Sequence, residues 1–269
     1  MISSRGRLPK QKSVHDTART LEINELSVHF GGLRAVDNVD IHVDAGEILG
    51  LVGPNGAGKT TIFNTVFGMT KPRSGRILLR GREITGETPE HINSLGVART
   101  FQNVRPFAEL SVRENIMMGA YGVGFCGVFS AALRLRKHAN LERLAADRAD
   151  HWIQRLGLAA YAHLAATALP LGLQRVAELA RAMAANPDLV LLDEPAAGLN
   201  RVEKQQLSDL LAALNRETGC SLLLIDHDMT LVMGLVHRVV VMDFGRKIAD
   251  GTPATVAADQ KVIEAYLGA

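Results

Sequence analysis

Gly53-Pro54-Asn55-Gly56-Ala57-Gly58-Lys59-Thr60 has the spacing G-x-x-x-x-G-K-T, and its reading decides the fold of this 269-residue chain. The run before it, Ala45-Gly46-Glu47-Ile48-Leu49-Gly50-Leu51-Val52, reads as a turn followed by a buried strand. Thr60-Thr61-Ile62-Phe63-Asn64 reads as the opening of a helix. Gly53, Gly56 and Gly58 let the backbone curl so that several N–H groups face one anion, and the positive end of the helix faces it too. Lys59 is expected to reach the outer phosphates of a nucleotide, and the Thr60 hydroxyl to ligate Mg2+. Pro54, Asn55, Ala57 and Thr61 complete the expected nucleotide-binding set.

A second stretch, Leu189-Val190-Leu191-Leu192-Asp193-Glu194, is an apolar run ending in two carboxylates. Asp193 closes a core strand, where it can hold the magnesium shell. Glu194 lies one step further and can take a proton from an attacking water. Beside a phosphate loop, the pair reads as a nucleotide hydrolase.

Composition agrees without deciding. Hydrophobic residues make up 47% of the chain, enough for a sizeable core in one large domain or one with a subdomain. Residues 1–20 carry Arg5, Arg7, Lys10, Lys12 and Arg19 against Asp16, so an overall charge of +2 leaves the rest of the chain at −2. That balance speaks against a nucleic-acid-binding body, and the basic arm reads as a disordered tail without the apolar stretch of a secretory signal. Cys126 and Cys220 fit neither a disulfide framework nor a metal cluster. The stretch from Val123 to Leu133 is too short to span a bilayer.

Along the chain the periodicity switches in an orderly way. Residues 21–50 alternate apolar and polar side chains, as antiparallel strands do, and Gly75–Gly81 reads as another strand after a turn at Lys71–Gly75. From about 108 to 186 the texture is helical. Leu141, Leu144, Ala145, Ala149, Trp152, Ile153 and Leu156 are expected on one amphipathic face. Strand texture returns at Leu189–Asp193, Ser221–Asp226 and Val239–Asp243.

From residue 21 onward the chain resembles the nucleotide-binding subunits of ABC transporters. Five further elements occur in that family's order. Phe30 occupies the position of its adenine-stacking aromatic. Gln102, in Thr100-Phe101-Gln102-Asn103, matches the glutamine that links magnesium and water to the helical subdomain. Ala197-Gly198-Leu199-Asn200 matches a loop that crosses a dimer interface, and His227, after Leu223-Leu224-Ile225-Asp226, matches the histidine that contacts the terminal phosphate; Asp226 reads as structural. The fifth element departs from the pattern. Leu169-Pro170-Leu171-Gly172-Leu173-Gln174 stands where the family has Leu-Ser-Gly-Gly-Gln, a signature that binds ATP held by the opposite subunit, and only Leu169 and Gly172 survive in place. Pro170 suits the first turn of a helix, which is expected from Gln174 to Met183 and ends by Asn186-Pro187.

The resemblance implies an α/β fold: a P-loop NTPase core of the RecA-like kind, an N-terminal antiparallel β subdomain and an α-helical subdomain at about 108–186, all within 21–269. It implies ATP and Mg2+, with Thr60, Gln102 and Asp193 around the metal and Glu194, His227 and Gln102 in catalysis. Within the family, Phe30–Val36, Glu194–Asn200, Asp243–Ala249 and Val262–Gly268 are similar to ATPase subunits of branched-chain amino-acid importers. That group implies a second, different ATPase subunit, two transmembrane permease subunits, a periplasmic solute-binding protein and a peripheral place on the cytoplasmic face of the inner membrane. Importers of urea or short amides share much of the pattern. A soluble ABC ATPase acting on nucleic acid or ribosomes is a rival of another class, disfavoured by the single cassette and the −2 body.

Overall fold

The computed structural model describes residues 19–100, 106–121 and 136–267. Residues 1–18 of the basic arm, Gln102, Cys126 and the apolar stretch from Val123 to Leu133 lie outside the described residues, whereas Arg19 and Thr20, expected in the disordered tail, open the first strand. β1 (Arg19–Phe30) and β2 (Leu33–Asp44) form a hairpin that joins β4 (Ser74–Leu79) and β5 (Arg82–Glu83) in an antiparallel sheet of order β2-β1-β4-β5. The alternation over residues 21–43 places Leu21, Ile23, Val28, Val36, Ile41 and Val43 in the core.

The second sheet carries the site. β3 (Ile48–Val52), β6 (Val97–Arg99), β7 (Leu189–Asp193), β8 (Ser221–Ile225) and β9 (Arg238–Asp243) run parallel, and β10 (Arg246–Gly251) pairs antiparallel at the edge, in the order β10-β9-β3-β8-β7-β6. β3, β7 and β8 are buried at every residue, which is why they read as continuous apolar runs. Alternate side chains serve different cores. Leu189, Leu191, Leu223 and Ile225 pack with Ile62, Phe63 and the antiparallel sheet, whereas Val190, Leu192, Leu222 and Leu224 pack with Leu179, Leu211 and Val232 on the helical side.

Among the described residues the α-helices are α1 (Lys59–Val66), α2 (Pro89–Ser94), α3 (Val112–Tyr121), α4 (Arg136–Arg155), α5 (Leu171–Ala184), α6 (Arg201–Thr218), α7 (Met229–Leu235), α8 (Pro253–Ala257) and α9 (Gln260–Leu267). α3, α4 and α5 pack on one another. On α4 the expected apolar face is present in Ala145, Ala149 and Ile153, but Leu144 is exposed. Five residues at about 100° each put Leu144 about 140° round the helix from Ala149, off the buried stripe. α6 begins with a capping box: the Asn200 side chain accepts from the N–H groups of Val202 and Glu203, and Glu203 Oε2 accepts from Asn200 N–H at 2.9 Å. Among the described residues no helix is long and apolar enough to cross a membrane.

α5 differs from expectation at its start. It begins at Leu171, three residues early, because Pro170 is the residue before the helix (φ −53°, ψ 150°) and its carbonyl accepts the first helical bond, from Gln174 N–H at 3.0 Å. Proline has no N–H to lose there.

Candidate functional site

The loop between β3 and α1 is shaped by what surrounds it. A Cβ on Gly53 (φ +146°) would lie 2.0 Å from the Met242 carbonyl oxygen of β9, and one on Gly58 (φ +98°) would lie 2.4 Å from the Ala35 carbonyl oxygen of β2. Neither position tolerates a side chain. Gly56 (φ +81°) has open space and needs glycine only for its backbone angle. The loop is tied to the β9–β10 turn by Gly245 N–H donating to the Ala57 carbonyl at 3.2 Å.

Lys59 opens α1 and folds back over its own loop, donating from Nζ to the carbonyls of Gly53 (2.7 Å) and Pro54 (2.8 Å). Burial lowers its pKa, against the raising influence of the Glu194 charge. Thr60 is exposed and Thr61 is half-buried on the first turn. A glycine-only cradle, a lysine and a helix N-terminus suit a polyphosphate. A carboxylate and a hydroxyl, from Asp193 and Thr60, are donors suited to a hard divalent cation such as Mg2+.

Asp193 ends β7 and is nearly buried. Arg99 Nη2 donates to its Oδ2 at 2.8 Å, with the two side chains only 4% and 8% exposed. Glu194 follows in the left-handed region (φ +48°), its N–H donating to the Ile225 carbonyl at 2.8 Å. An extended next residue would carry on along the strand; here the chain turns, and the Glu194 carboxylate meets the His227 imidazole, Oε2 to Nε2 at 3.0 Å. Glu194 is 15% exposed in its side chain and His227 is 62% exposed.

Asp226 explains how the two loops stay in register. Its Oδ2 accepts from Ala196 N–H at 3.1 Å and its Oδ1 from Asp228 N–H at 2.9 Å. One buried carboxylate thus joins the loop after β7 to the loop after β8. Asp228 in turn caps α7, accepting from Leu231 N–H at 3.1 Å, and pairs with Lys204 Nζ at 2.7 Å.

The departing segment at 169–174 sits against the start of α6. Gly172 faces Glu203, whose Oε1 would lie 3.1 Å from an added Cβ, and Gly198 (φ +80°) has Leu171 Cδ2 at 2.8 Å from its own. Gln174 Nε2 donates back to the Leu169 carbonyl at 2.8 Å. Pro170 and Leu171 are exposed, Leu173 is half-buried and Leu169 is buried. Phe30 stands exposed at the end of β1, where the hairpin turns through Gly31.

The structure brings together the 53–61 loop, Asp193, Glu194 and His227; Phe30 stands at the hairpin tip and 169–174 against α6. Two arginines escaped the sequence reading. Arg99 closes the short strand Val97-Ala98-Arg99 as Asp193 closes its own, so two opposite charges ending apolar runs were the available signal. Arg175 is buried on α5, pairs with Glu178 and reaches the Ala197 carbonyl at 3.4 Å; nothing in its spacing marked it.

Comparison with known proteins agrees with this geometry. Residues 36–197 match the family model described as ABC transporter, and residues 246–269 match that of the branched-chain amino acid ATP-binding cassette transporter. The chain is 44% identical to the high-affinity branched-chain amino acid transport ATP-binding protein LivG of Escherichia coli K12, over 92% of this chain and 97% of that one. It is 41% identical to the corresponding protein BraF of Pseudomonas aeruginosa, with the same coverage. Among solved structures, a nucleotide-free ATP-binding cassette from an ABC transporter superposes with a TM-score of 0.81 at 28% identity, covering 93% of this chain and all of that one. The ADP conformation of the cassette MJ1267 gives the same score and identity over 93% and 99%. Glycine-only loop, carboxylate-ended strand and sheet order therefore have one reading: the chain is an ATP-hydrolysing cassette of the ABC transporter family and belongs to its branched-chain amino-acid group.

Proposed function

We propose that this cassette powers an importer of branched-chain amino acids. It would do so at the cytoplasmic face of the inner membrane, paired with a second, different ATPase subunit beneath two permease subunits and fed by a periplasmic solute-binding protein. The observation that carries the catalytic part is the 3.0 Å approach of Glu194 to His227 beside Lys59 and the glycine loop. The support for the solute is the similarity at 246–269 and over nearly the whole chain to proteins named for branched-chain amino-acid transport.

In this reading the loop from Gly53 to Thr61 holds the phosphates of ATP, with Pro54, Asn55, Gly56, Ala57 and Gly58 contributing backbone, and Lys59 reaches the outer ones. Phe30 stacks on the adenine. Thr60, Asp193 and Gln102 would hold Mg2+, and the chemistry it would supply is neutralisation of charge on the phosphates. Glu194 takes the proton of the attacking water, and His227, which fixes that carboxylate, contacts the terminal phosphate. Leu169–Gln174 faces the nucleotide of the paired subunit and, lacking the serine hydroxyl at Pro170, forms the weaker of two sites. Losing one hydrogen bond to a charged group is worth about 1.5–3 kcal/mol, so that site is weakened rather than abolished.

The test is reconstitution with permease subunits, a second ATPase subunit and a solute-binding protein of the branched-chain amino-acid group. ATP hydrolysis in vesicles should rise when the binding protein is loaded with leucine, isoleucine or valine. Stimulation by urea or a short amide instead would move the assignment to that group. Co-purification with RNA or ribosomes in place of membrane subunits would overturn the transport role.

A further inference from the structure

Arg99 is held from two sides. Besides the contact with Asp193, its Nη1 donates to Asn64 Oδ1 at 2.8 Å and reaches Met69 Sδ at 3.4 Å, and its guanidinium carbon lies 5.9 Å from the centre of the Phe63 ring. Phe63 and Asn64 belong to α1, and Asn64 lies one helical turn beyond Thr60. The guanidinium is thus fastened to the helix that opens with Lys59 and Thr60, independently of Asp193. A lysine could not do the same, because only the planar fork offers separate nitrogens to an amide oxygen and a carboxylate.

A buried carboxylate needs a counter-charge. At Asp193 the chain supplies one of its own, on the carboxylate that the proposed function gives to Mg2+. A metal held by this carboxylate would share it with a guanidinium whose N–H already donates to Oδ2 at 2.8 Å. Two cations on one small anion repel, and a partly buried pair is screened less than one in open solvent.

We infer that Arg99 is a positioning residue and resident counter-ion of Asp193: it fixes the carboxylate against α1 and holds down its affinity for Mg2+. The inference rests on the reading of Asp193 as a metal ligand. It gives the site a carboxylate that keeps its place whenever metal and product leave, and a metal that is released readily.

The experiment uses the full chain carrying Glu194→Gln, so that ATP is bound but not consumed, with Mn2+ as the probe, read by its electron paramagnetic resonance in the presence of ATP. Arg99→Met should bind Mn2+ about tenfold more tightly, the order expected when a like charge is removed from a partly screened site, while the metal-free affinity for a fluorescent ATP analogue stays unchanged. Arg99→Lys keeps the charge and should leave Mn2+ binding close to that of the parent; Arg99→Gln removes the charge with a polar side chain and decides the matter if the methionine variant does not fold. Asp193→Asn in the same background should weaken Mn2+ binding. If Asp193→Asn weakens it and neither charge-removing Arg99 variant tightens it, the counter-ion role is wrong and the ligand reading stands. If Asp193→Asn leaves Mn2+ binding unchanged, the ligand reading falls and this inference falls with it.

Discussion

Glu194 Oε2 and His227 Nε2 lie 3.0 Å apart although they sit in loops after different strands, and Asp226 is what brings them together. The carboxylate is sheltered and the imidazole is largely in solvent. A base placed this way loses its function, not its fold, when its charge is removed. Glu194→Gln is expected to lower ATP hydrolysis by about 100-fold or more while nucleotide binding persists. Phosphate release measured beside equilibrium nucleotide binding checks this; equal loss of both would deny Glu194 a role in proton transfer.

The link through Asp226 makes a separate forecast. Asp226→Ala leaves the N–H groups of Ala196 and Asp228 without their acceptor, at about 1–3 kcal/mol each for buried donors. The melting temperature should fall by several degrees. Because the loops carrying Glu194 and His227 are then free to separate, kcat should fall more than KM for ATP rises. A variant with normal kcat would show that the pairing survives without the carboxylate.

The phosphate loop predicts a graded series. Gly53→Ala pushes a methyl to 2.0 Å from the Met242 carbonyl, and should cost about 3 kcal/mol or more and abolish ATP binding. Gly58→Ala, at 2.4 Å from the Ala35 carbonyl, should be nearly as severe. Gly56→Ala meets nothing and carries only the backbone penalty of about 1 kcal/mol. Chemical denaturation of the three variants gives the order; equal effects would mean the loop relaxes away from β2 and β9.

Asp228 gives a pH dependence. The Lys204 hydrogen bond, followed by the Leu231 backbone N–H, holds its carboxyl below the usual range, so the folded pKa is the lower one. Its stabilisation is complete above the unfolded value of about 3.9 and is lost as pH falls through the depressed folded value. Asp228→Asn keeps the α7 cap but not the charge. Its melting temperature should lie below that of the parent near pH 7 and converge with it below about pH 4. Asp228→Ala should lose about 1 kcal/mol of capping at any pH.

Much of this was legible in the chain itself, for a physical reason. Gly53, Gly58 and Asp193 are dictated by local backbone: a tight loop between a strand and a helix, and a charge at the end of an apolar run. The burial of Leu189–Leu192 on both faces likewise shows in their unbroken apolarity. Arg99 was not legible because its partners, Asn64 and Asp193, are brought to it only by the order β8-β7-β6 and the seat of α1. The early start of α5 is not legible because Leu171-Gly172-Leu173 has no helical periodicity of its own, and Pro170 precedes the helix and lends it a carbonyl. Leu144 is an apolar residue counted into a stripe that the helix angle excludes.

Lys59 has one more consequence. Its ammonium already has two carbonyl partners, Gly53 and Pro54. On the proposed reading, a nucleotide can draw it away only by offering acceptors that outbid two neutral oxygens, and charged phosphate oxygens outbid them roughly twofold in bond strength. Adenosine brings none, and a monophosphate is too short to bring one to the outer position. The loop is therefore a counter of phosphates as well as a cradle for them, and it discriminates by chain length before the base is ever read.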